Sequence, residues 1–408
     1  MTNAASLIRR SRVYQRPFER LSNFNDHFFC HPMTFRMASQ LPPTHQAVFL
    51  PAKGEPTALV TRETPQAGPG SAVVRVLSAY VISYANEVYG LKRPHGLPTP
   101  FVPGSGAICR VEEVGPDATS IAPGQLVLFD MMIRARDNPH EFYLSGALAG
   151  ITEASHKFAQ GEFRDSTYAE YARIPLENCL PLDEDRLVRG LGYTVDDLTH
   201  LIPLMVPYGG LRDVGLLAGE TVVVAPATGK YGGAAVHVAL ALGARVVAMG
   251  RKEKSLAKLA KLGGGGRVST IRITGDVDAD AAAIKEKAGG LVDVWMDLSP
   301  PEASGSSHFK SCIQALRFGG RISLMCAVTG VSLDVSDITY RAATVKGTMM
   351  CSRDEALQVI KMAEAGVLPL GPKAGLEIIG KFGLDSFQSA LETAAEHNGP
   401  GEMVVVTP

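Results

Sequence analysis

The chain has 408 residues, 46% of them hydrophobic and 20% charged, and its 40 Lys and Arg against 41 Asp and Glu give a formal net charge of −1. Charges of the two signs are interleaved, so no basic stripe exists to neutralise a phosphate backbone and nucleic acid is not an expected partner. No segment reaches the roughly 18–20 uninterrupted apolar residues that span a bilayer. The most apolar stretch, Thr221–Gly250, is broken by Lys230, His237 and Arg245, so no membrane partner is expected either.

Residues 1–43 read as an N-terminal extension. Arg9, Arg10, Arg12, Arg16, Arg20 and Arg36 stand there against only Glu19 and Asp26, which resembles a mitochondrial presequence. A disordered tail, or a chain that truly opens at Met37, reads equally well. The six cysteines (Cys30, Cys109, Cys179, Cys312, Cys326, Cys351) are far apart with no C-x-x-C pair, so neither a disulfide framework nor a structural zinc lobe is expected. A reduced compartment follows: cytoplasmic, or mitochondrial if the Arg-rich stretch is a presequence.

From Gln46 to about Leu182, short apolar runs alternate with Gly and Pro: Ala47–Leu50, Ala72–Leu77, Ala107–Val114, Gln125–Phe129 and Tyr168–Ile174. That spacing predicts a small β-barrel, with Gly68-Pro69-Gly70 and Pro123-Gly124 as turns. Residues from about Asp130 to Asp165 read as a long irregular excursion bordering a site. After about Asp183 strands and helices alternate. Strands are predicted at Thr221–Ala225, Arg245–Met249, Val268–Ile273, Val292–Asp297, Arg321–Met325 and Thr344–Met349, and Ala235, Val238, Ala239 and Leu242 mark one face of a helix. Such alternation predicts an α/β fold with a doubly wound parallel sheet. Ser352-Arg-Asp-Glu355 is a capping box opening a further helix, Asp385 is placed to cap another, and Met403–Thr407 reads as a closing strand.

The segment Val222–Val236 runs from a strand through a glycine turn into a helix. Gly229 permits the turn, Gly232 lets helix and strand pack closely, and the amides of a helix N-terminus suit a diphosphate. Thr228, Gly229, Lys230, Tyr231 and Gly232 are therefore candidate cofactor contacts. The next strand ends in Gly250-Arg251-Lys252, where an NAD-preferring domain carries Asp or Glu. A carboxylate repels a 2′-phosphate, whereas Arg251 and Lys252 pair with one, so NADPH is the expected cofactor. Ser299 and Cys326, just past two further strand ends, complete the candidate cofactor set. Cys326 reads as an apolar residue able to touch the nucleotide more than as a reactive thiol.

With these residues in view, the chain resembles the zinc-free, quinone- and enoyl-reductase-like members of the medium-chain dehydrogenase/reductase superfamily over about 360 residues. The shared text includes Pro100-Phe-Val-Pro-Gly-Ser-Gly106, Val111-Glu-Glu-Val-Gly115, Leu216-Leu-Ala-Gly-Glu-Thr221, Gly319-Gly-Arg-Ile322 and Gly401-Glu-Met-Val-Val-Val406. The resemblance implies a GroES-like substrate domain over residues 44–185, completed by 352–408, and a Rossmann domain over 186–351. It also implies a homodimer joined through sheet edges near Val331–Met349.

By the same alignment Ile82 stands where the zinc-dependent branch has its catalytic cysteine, and Gly104-Ser105-Gly106 replaces Gly-His-Glu, so no metal is expected. Pro226 stands where relatives have Ala or Gly. The resemblance puts Tyr80, Ser83, Tyr84 and Asn86 on the barrel side of a cleft and Pro207 and Tyr208 against the nicotinamide. Tyr84, then Tyr208, is the candidate oxyanion binder or proton donor, with Ser83 and Asn86 beside them, and solvent is an alternative proton source. No histidine pair has metal spacing except His27 and His31, which lack a third ligand, and no Gly-x-Ser-x-Gly elbow occurs. The expected activity is NADPH-dependent reduction of a quinone, an activated alkene or a carbonyl in a small-molecule substrate. The alternatives are an enoyl reductase beside a biosynthetic assembly and a catalytically silent NADPH-binding sensor or structural protein.

Overall fold

The computed structural model describes residues 41–408 apart from Gly265; the Arg-rich stretch, Cys30, His27 and His31 lie outside the described residues. Two antiparallel strands, Thr44–Phe49 and Ala58–Glu63, come first. The ten-residue strand Ser71–Tyr80 is the spine of the first sheet. It pairs antiparallel with Ala107–Val114, Tyr171–Pro175 and the closing strand Glu402–Val406. Leu126–Phe129 and Cys179–Pro181 extend this sheet on one side and Glu377–Phe382 on the other. Turn glycines precede the spine and Leu126: Gly70 has φ +72° and Gly124 φ +90°, a region that costs other residues strain. Because the closing strand pairs Val405 with Tyr80, the last residues of the chain meet the end of the spine strand.

The segment predicted to be irregular contains a hairpin, Met132–Arg134 with Phe142–Leu144, and a helix, Glu153–Ala159, capped by Thr152. Met131, Met132, Ile133 and Tyr143 are buried there. Strands of three residues are too short for alternation to register, which explains the difference.

The second sheet has six parallel strands in the order Val268–Arg272, Arg245–Gly250, Thr221–Val224, Val292–Asp297, Leu316–Leu324, Thr344–Gly347. Taken by chain position this is the 3-2-1-4-5-6 order, with its switch point between Thr221–Val224 and Val292–Asp297. The helix Lys230–Ala241 follows the first of these strands. Its predicted stripe is buried or half-buried, but so are Val236, His237 and Leu240, because the helix Leu201–Asp213 packs on its other side. That second helix is apolar nearly all round and tolerates Pro207 inside it. It is held in turn by the helix Arg353–Glu364, which opens in the predicted capping box: Ser352 Oγ accepts from Glu355 N at 3.2 Å, and Ser352 N donates to Glu355 Oε2 at 2.8 Å. Such a cap contributes about 1 kcal/mol. The last helix, Phe387–Glu396, corrects the expectation for Asp385. Its cap position is Ser386, and the Asp385 carboxylate accepts from the Ser386 hydroxyl at 3.0 Å.

Candidate active site

Side chains that follow the C-terminal ends of parallel strands share one edge of a sheet. Thr228–Gly232 follow Thr221–Val224, Gly250–Lys252 end Arg245–Gly250 and lead into the next helix, Ser299 follows Val292–Asp297 and Cys326 follows Leu316–Leu324. The structure thus brings the predicted cofactor set together from four strands. Gly229 is the exposed cap of the helix Lys230–Ala241, and nothing stands within 4 Å of where its Cβ would be. Gly232 is the opposite case. A Cβ there would lie 2.2 Å from the Pro226 carbonyl oxygen, so Pro226 leaves both glycines in register and supplies the surface against which Gly232 packs. An open, uncapped helix N-terminus suits a diphosphate.

At Gly250 a Cβ would stand 2.3 Å from Thr228 Cγ2 and 2.7 Å from Thr228 Oγ1. Thr228 is buried, so the strand end has no room for a side chain, least of all a carboxylate. Arg251 and Lys252 are exposed beyond it. Lys252 Nζ donates to Asn398 Oδ1 at 3.3 Å, while Arg251 has no hydrogen bond or ion pair among the described residues.

Ser299 belongs to a buried network that histidine spacing does not reveal. Its amide and hydroxyl donate to Asp297 Oδ1 at 3.0 and 2.5 Å, and its Oγ lies 3.1 Å from His308 Nε2. With the hydroxyl hydrogen committed to Asp297, His308 donates through Nε2, and its Nδ1 lies 2.7 Å from Ser306 Oγ. Asp297 Oδ2 is buried without a hydrogen-bond partner. Burial first, then the Asp297 charge, pushes the Cys326 thiol up to about 11, which keeps it a thiol rather than a nucleophilic thiolate. The signal available in sequence was the acidic end of the strand Val292–Asp297, two residues before Ser299.

On the barrel side, Tyr84 caps the short helix Ala85–Tyr89 and is half-buried, Ser83 is half-buried beside it, and Asn86 is exposed. The Arg93 guanidinium lies 4.4 Å from the centre of the Tyr84 ring and is held by Glu87 at 2.7 Å. The Tyr231 phenol, from the nucleotide helix, is close enough to those of Tyr84 and Tyr80 for each to shift the others' pKa, while the buried Tyr80 hydroxyl has no hydrogen-bond partner. Burial raises the Tyr84 pKa, opposed by its hydrogen bond to Tyr231 and by the Arg93 charge, so Tyr84 stays a protonated donor at neutral pH. Sequence reasoning placed Tyr231 on the cofactor alone; its partners lie about 150 residues earlier, beyond the reach of periodicity. Tyr208 is differently placed, since its hydroxyl donates to Gln358 Oε1 at 2.6 Å on the helix Arg353–Glu364.

At the zinc-ligand positions, Ile82 is buried, and the Ser105 hydroxyl donates to the Tyr80 carbonyl while its amide donates to Thr167 Oγ1 at 3.0 Å. Among the described residues no group of three or more His, Cys, Asp or Glu is placed to hold a metal, and no helix is long and apolar enough to cross a membrane.

Residues 68–184 match the alcohol dehydrogenase GroES-like domain and residues 232–365 the zinc-binding dehydrogenase family. The chain is 24% identical over 356 residues to an L-threonine 3-dehydrogenase of Ruegeria pomeroyi, covering 85% of this chain and 95% of that one. It is 23% identical over 312 residues to an acryloyl-coenzyme A reductase of Sulfurisphaera tokodaii, covering 75% and 83%. A candidate zinc-binding dehydrogenase from Sinorhizobium meliloti 1021, solved bound to NADP, superposes with a TM-score of 0.70 at 19% identity, covering 90% of this chain and 99% of that one. With both domain matches in sequence order on a GroES-like sheet and a six-stranded parallel sheet, the chain belongs to the medium-chain dehydrogenase/reductase superfamily of nicotinamide-dependent oxidoreductases.

Proposed function

We propose that the protein is an NADPH-dependent, zinc-independent oxidoreductase that reduces a quinone, an activated C=C bond or a carbonyl by hydride transfer. The observation that carries this proposal is a carboxylate-free dinucleotide turn whose helix brings Tyr231 beside Tyr84 of the barrel side. When bound, the nicotinamide supplies the hydride. The chain's own residues do the rest. The amides at Gly229–Gly232 hold the diphosphate, and Arg251 and Lys252 bring positive charge to a 2′-phosphate beside the empty Gly250 position. Ser299 and Cys326 line the same sheet edge farther along.

Isoleucine has no lone pair, and the Ser105 hydroxyl is committed to the Tyr80 carbonyl, so Ile82 and Ser105 do not fit a metal and no step runs through one. Tyr84 instead donates a hydrogen bond to the oxygen on which charge develops. Its raised pKa makes it a better donor than acid, which leaves the proton itself to solvent. Ser83 and Asn86 serve the mouth of the cleft. The acryloyl-coenzyme A reductase relative supports the alkene among the three substrate classes.

The domains follow the sheets: a substrate domain over 44–185 completed by 352–408, and a nucleotide domain over 186–351. For the homodimer, the support is the edge strand Thr344–Gly347, which pairs only with Leu316–Leu324 and is exposed throughout. Phe318, Val335 and Tyr340 nearby are each more than 70% exposed, and an edge strand with exposed apolar side chains beside it suits isologous pairing with a second copy.

The test is oxidation of NADPH and NADH by the purified protein with an ortho-quinone, an enone and an aldehyde, before and after chelation. NADPH oxidation unaffected by chelation is expected. Loss of activity on chelation, or a preference for NADH, refutes the proposal, and NADPH bound but never oxidised leaves the catalytically silent alternative.

A further inference from the structure

Lys230 is the first residue of the nucleotide helix, where a cation is electrostatically disfavoured by the helix dipole. Its side chain is only 6% exposed, and Nζ has no hydrogen-bond partner. It lines a cavity of about 10 Å³, room for one water, bounded also by His200, Leu204, Ala234, Glu402 and Met403.

Every charged or titratable group facing the amine can be named. From the barrel, the Tyr80 ring centre is 5.4 Å from Nζ. From the segment before the helix Leu201–Asp213 comes His200, whose Nδ1 lies 3.2 Å from the Asp197 carbonyl, leaving Nε2 as a second buried atom without a partner. Burial holds His200 down at about 4, so it is neutral and adds no negative charge. From the closing strand comes Glu402, whose Oε2 is already shared with the Gly399 amide at 3.2 Å and stands 3.9 Å from His397 Nδ1. From its own helix comes Tyr231, a neutral phenol at neutral pH. One shared carboxylate and an aromatic face do not balance a buried ammonium at a helix N-terminus. Burial, offset only by Glu402, pushes the amine down to about 8.

We propose that Lys230 couples cofactor binding to proton uptake: a dinucleotide diphosphate at this helix N-terminus supplies the missing negative charge, and the amine takes a proton from the buffer as the nucleotide binds. The inference rests on the dinucleotide reading of the turn. The linkage has a definite sign. Neutral amine accumulates in the free protein above about pH 8, and the bound anion raises the amine's affinity for a proton, so nucleotide binding weakens as pH rises. For a bound-state rise of about one unit, uptake at pH 8 is about 0.4 proton per nucleotide, and affinity falls about sevenfold between pH 7 and pH 9.5.

The experiment is calorimetric titration of the full chain with NADPH at pH 8 in two buffers of different ionisation enthalpy, repeated across that pH range for the wild type, K230M and K230R. Wild type is expected to take up protons. K230R, charged at every pH used, should bind with no uptake and a flat profile, and K230M should bind more weakly, also with no uptake. If K230M does not fold, K230R alone decides. Uptake that persists in K230R, or binding by the wild type without uptake, overturns the inference and leaves the cofactor assignment standing. No binding by the wild type overturns both.

Discussion

Gly250→Asp tests whether cofactor choice is built into the turn as a steric as well as an electrostatic feature. Placing the carboxylate of NAD-preferring domains here puts a Cβ 2.3 Å from Thr228 Cγ2, whereas carbon atoms in contact normally sit about 3.5–4.0 Å apart. Thr228 is 7% exposed, so it has no free direction in which to move. Overpacking of this kind costs about 1–3 kcal/mol. The expected result is a less stable protein that loses NADPH affinity without gaining NADH. Thr228→Ala removes both offending atoms and leaves the residue's own Cβ at 3.1 Å, so the double variant G250D/T228A should recover stability and shift toward NADH. Arg251→Ala completes the set. Its guanidinium is exposed, so the contact with a 2′-phosphate is worth about 1–2 kcal/mol, the low side for a charge-assisted bond, or about a 5–30-fold rise in Kd for NADPH with NADH unchanged. Stability is read by thermal or urea unfolding and affinity by fluorescence titration with both nucleotides. A stable G250D that binds NADH better with Thr228 intact would refute the steric half of this reasoning.

Tyr84→Phe should lower kcat about 10²-fold while NADPH affinity stays within twofold, the mark of a donor used only as charge develops; Tyr208→Phe, which loses one hydrogen bond to Gln358, should cost about 1 kcal/mol of stability and leave kcat nearly intact. Asp130 is buried, and that burial raises its pKa from 3.8 to about 6. The stability it contributes is therefore complete below its unfolded value and lost as pH rises through 6, a cost of about 3 kcal/mol at pH 7.5. Asp130→Asn keeps an acceptor for the Met132 amide, so urea unfolding should show it more stable than wild type by about 1–3 kcal/mol at pH 7.5 and not at pH 4. Val345→Lys on the exposed edge strand should shift the protein from dimer to monomer in sedimentation, and a wild type already monomeric would remove the basis for edge pairing.

The parallel sheet and the nucleotide turn were legible because their signals are local. Val222–Val224 is a buried run, Gly229 and Gly232 follow at fixed spacing, and every predicted strand of that sheet is present with ends shifted by a few residues at most, Leu316 replacing Arg321 as the largest shift. The strands at Thr44–Phe49, Ser71–Tyr80, Ala107–Val114, Leu126–Phe129, Tyr171–Pro175 and Glu402–Val406 were legible for the same reason, whereas Ala58–Glu63, Cys179–Pro181 and Glu377–Phe382 were not. What escaped depends on contacts between distant segments. Tyr231 stands beside Tyr80 and Tyr84, and His308 beside Asp297 and Ser299 through a helix start that no spacing rule connects to them. Tyr208 shows the converse: it sits where the resemblance expects a nicotinamide contact, yet Gln358, 150 positions later, takes its hydroxyl.

On the proposed function, the same contacts order the three substrate classes. Reducing an isolated carbonyl leaves a localised alkoxide, a strong base that needs either a Lewis acid or a proton delivered early. Reducing an enone or quinone leaves charge spread over a conjugated system, for which a hydrogen bond suffices. Tyr84 offers the second kind of help. Burial outweighs the neighbouring Tyr231 hydroxyl and the Arg93 charge, so its proton is held more tightly than in free phenol, and on the proposed zinc-free reading Ile82 and Ser105 offer no ligand to a metal that would substitute for acidity. Tyr231 can relay hydrogen-bond polarisation but not net charge, because burial raises its own pKa further still. A site that donates without readily releasing a proton favours delocalised oxyanions, so turnover should rank ortho-quinone and enone above aldehyde. An aldehyde turned over fastest would mean that the electrophilic help comes from a group other than Tyr84.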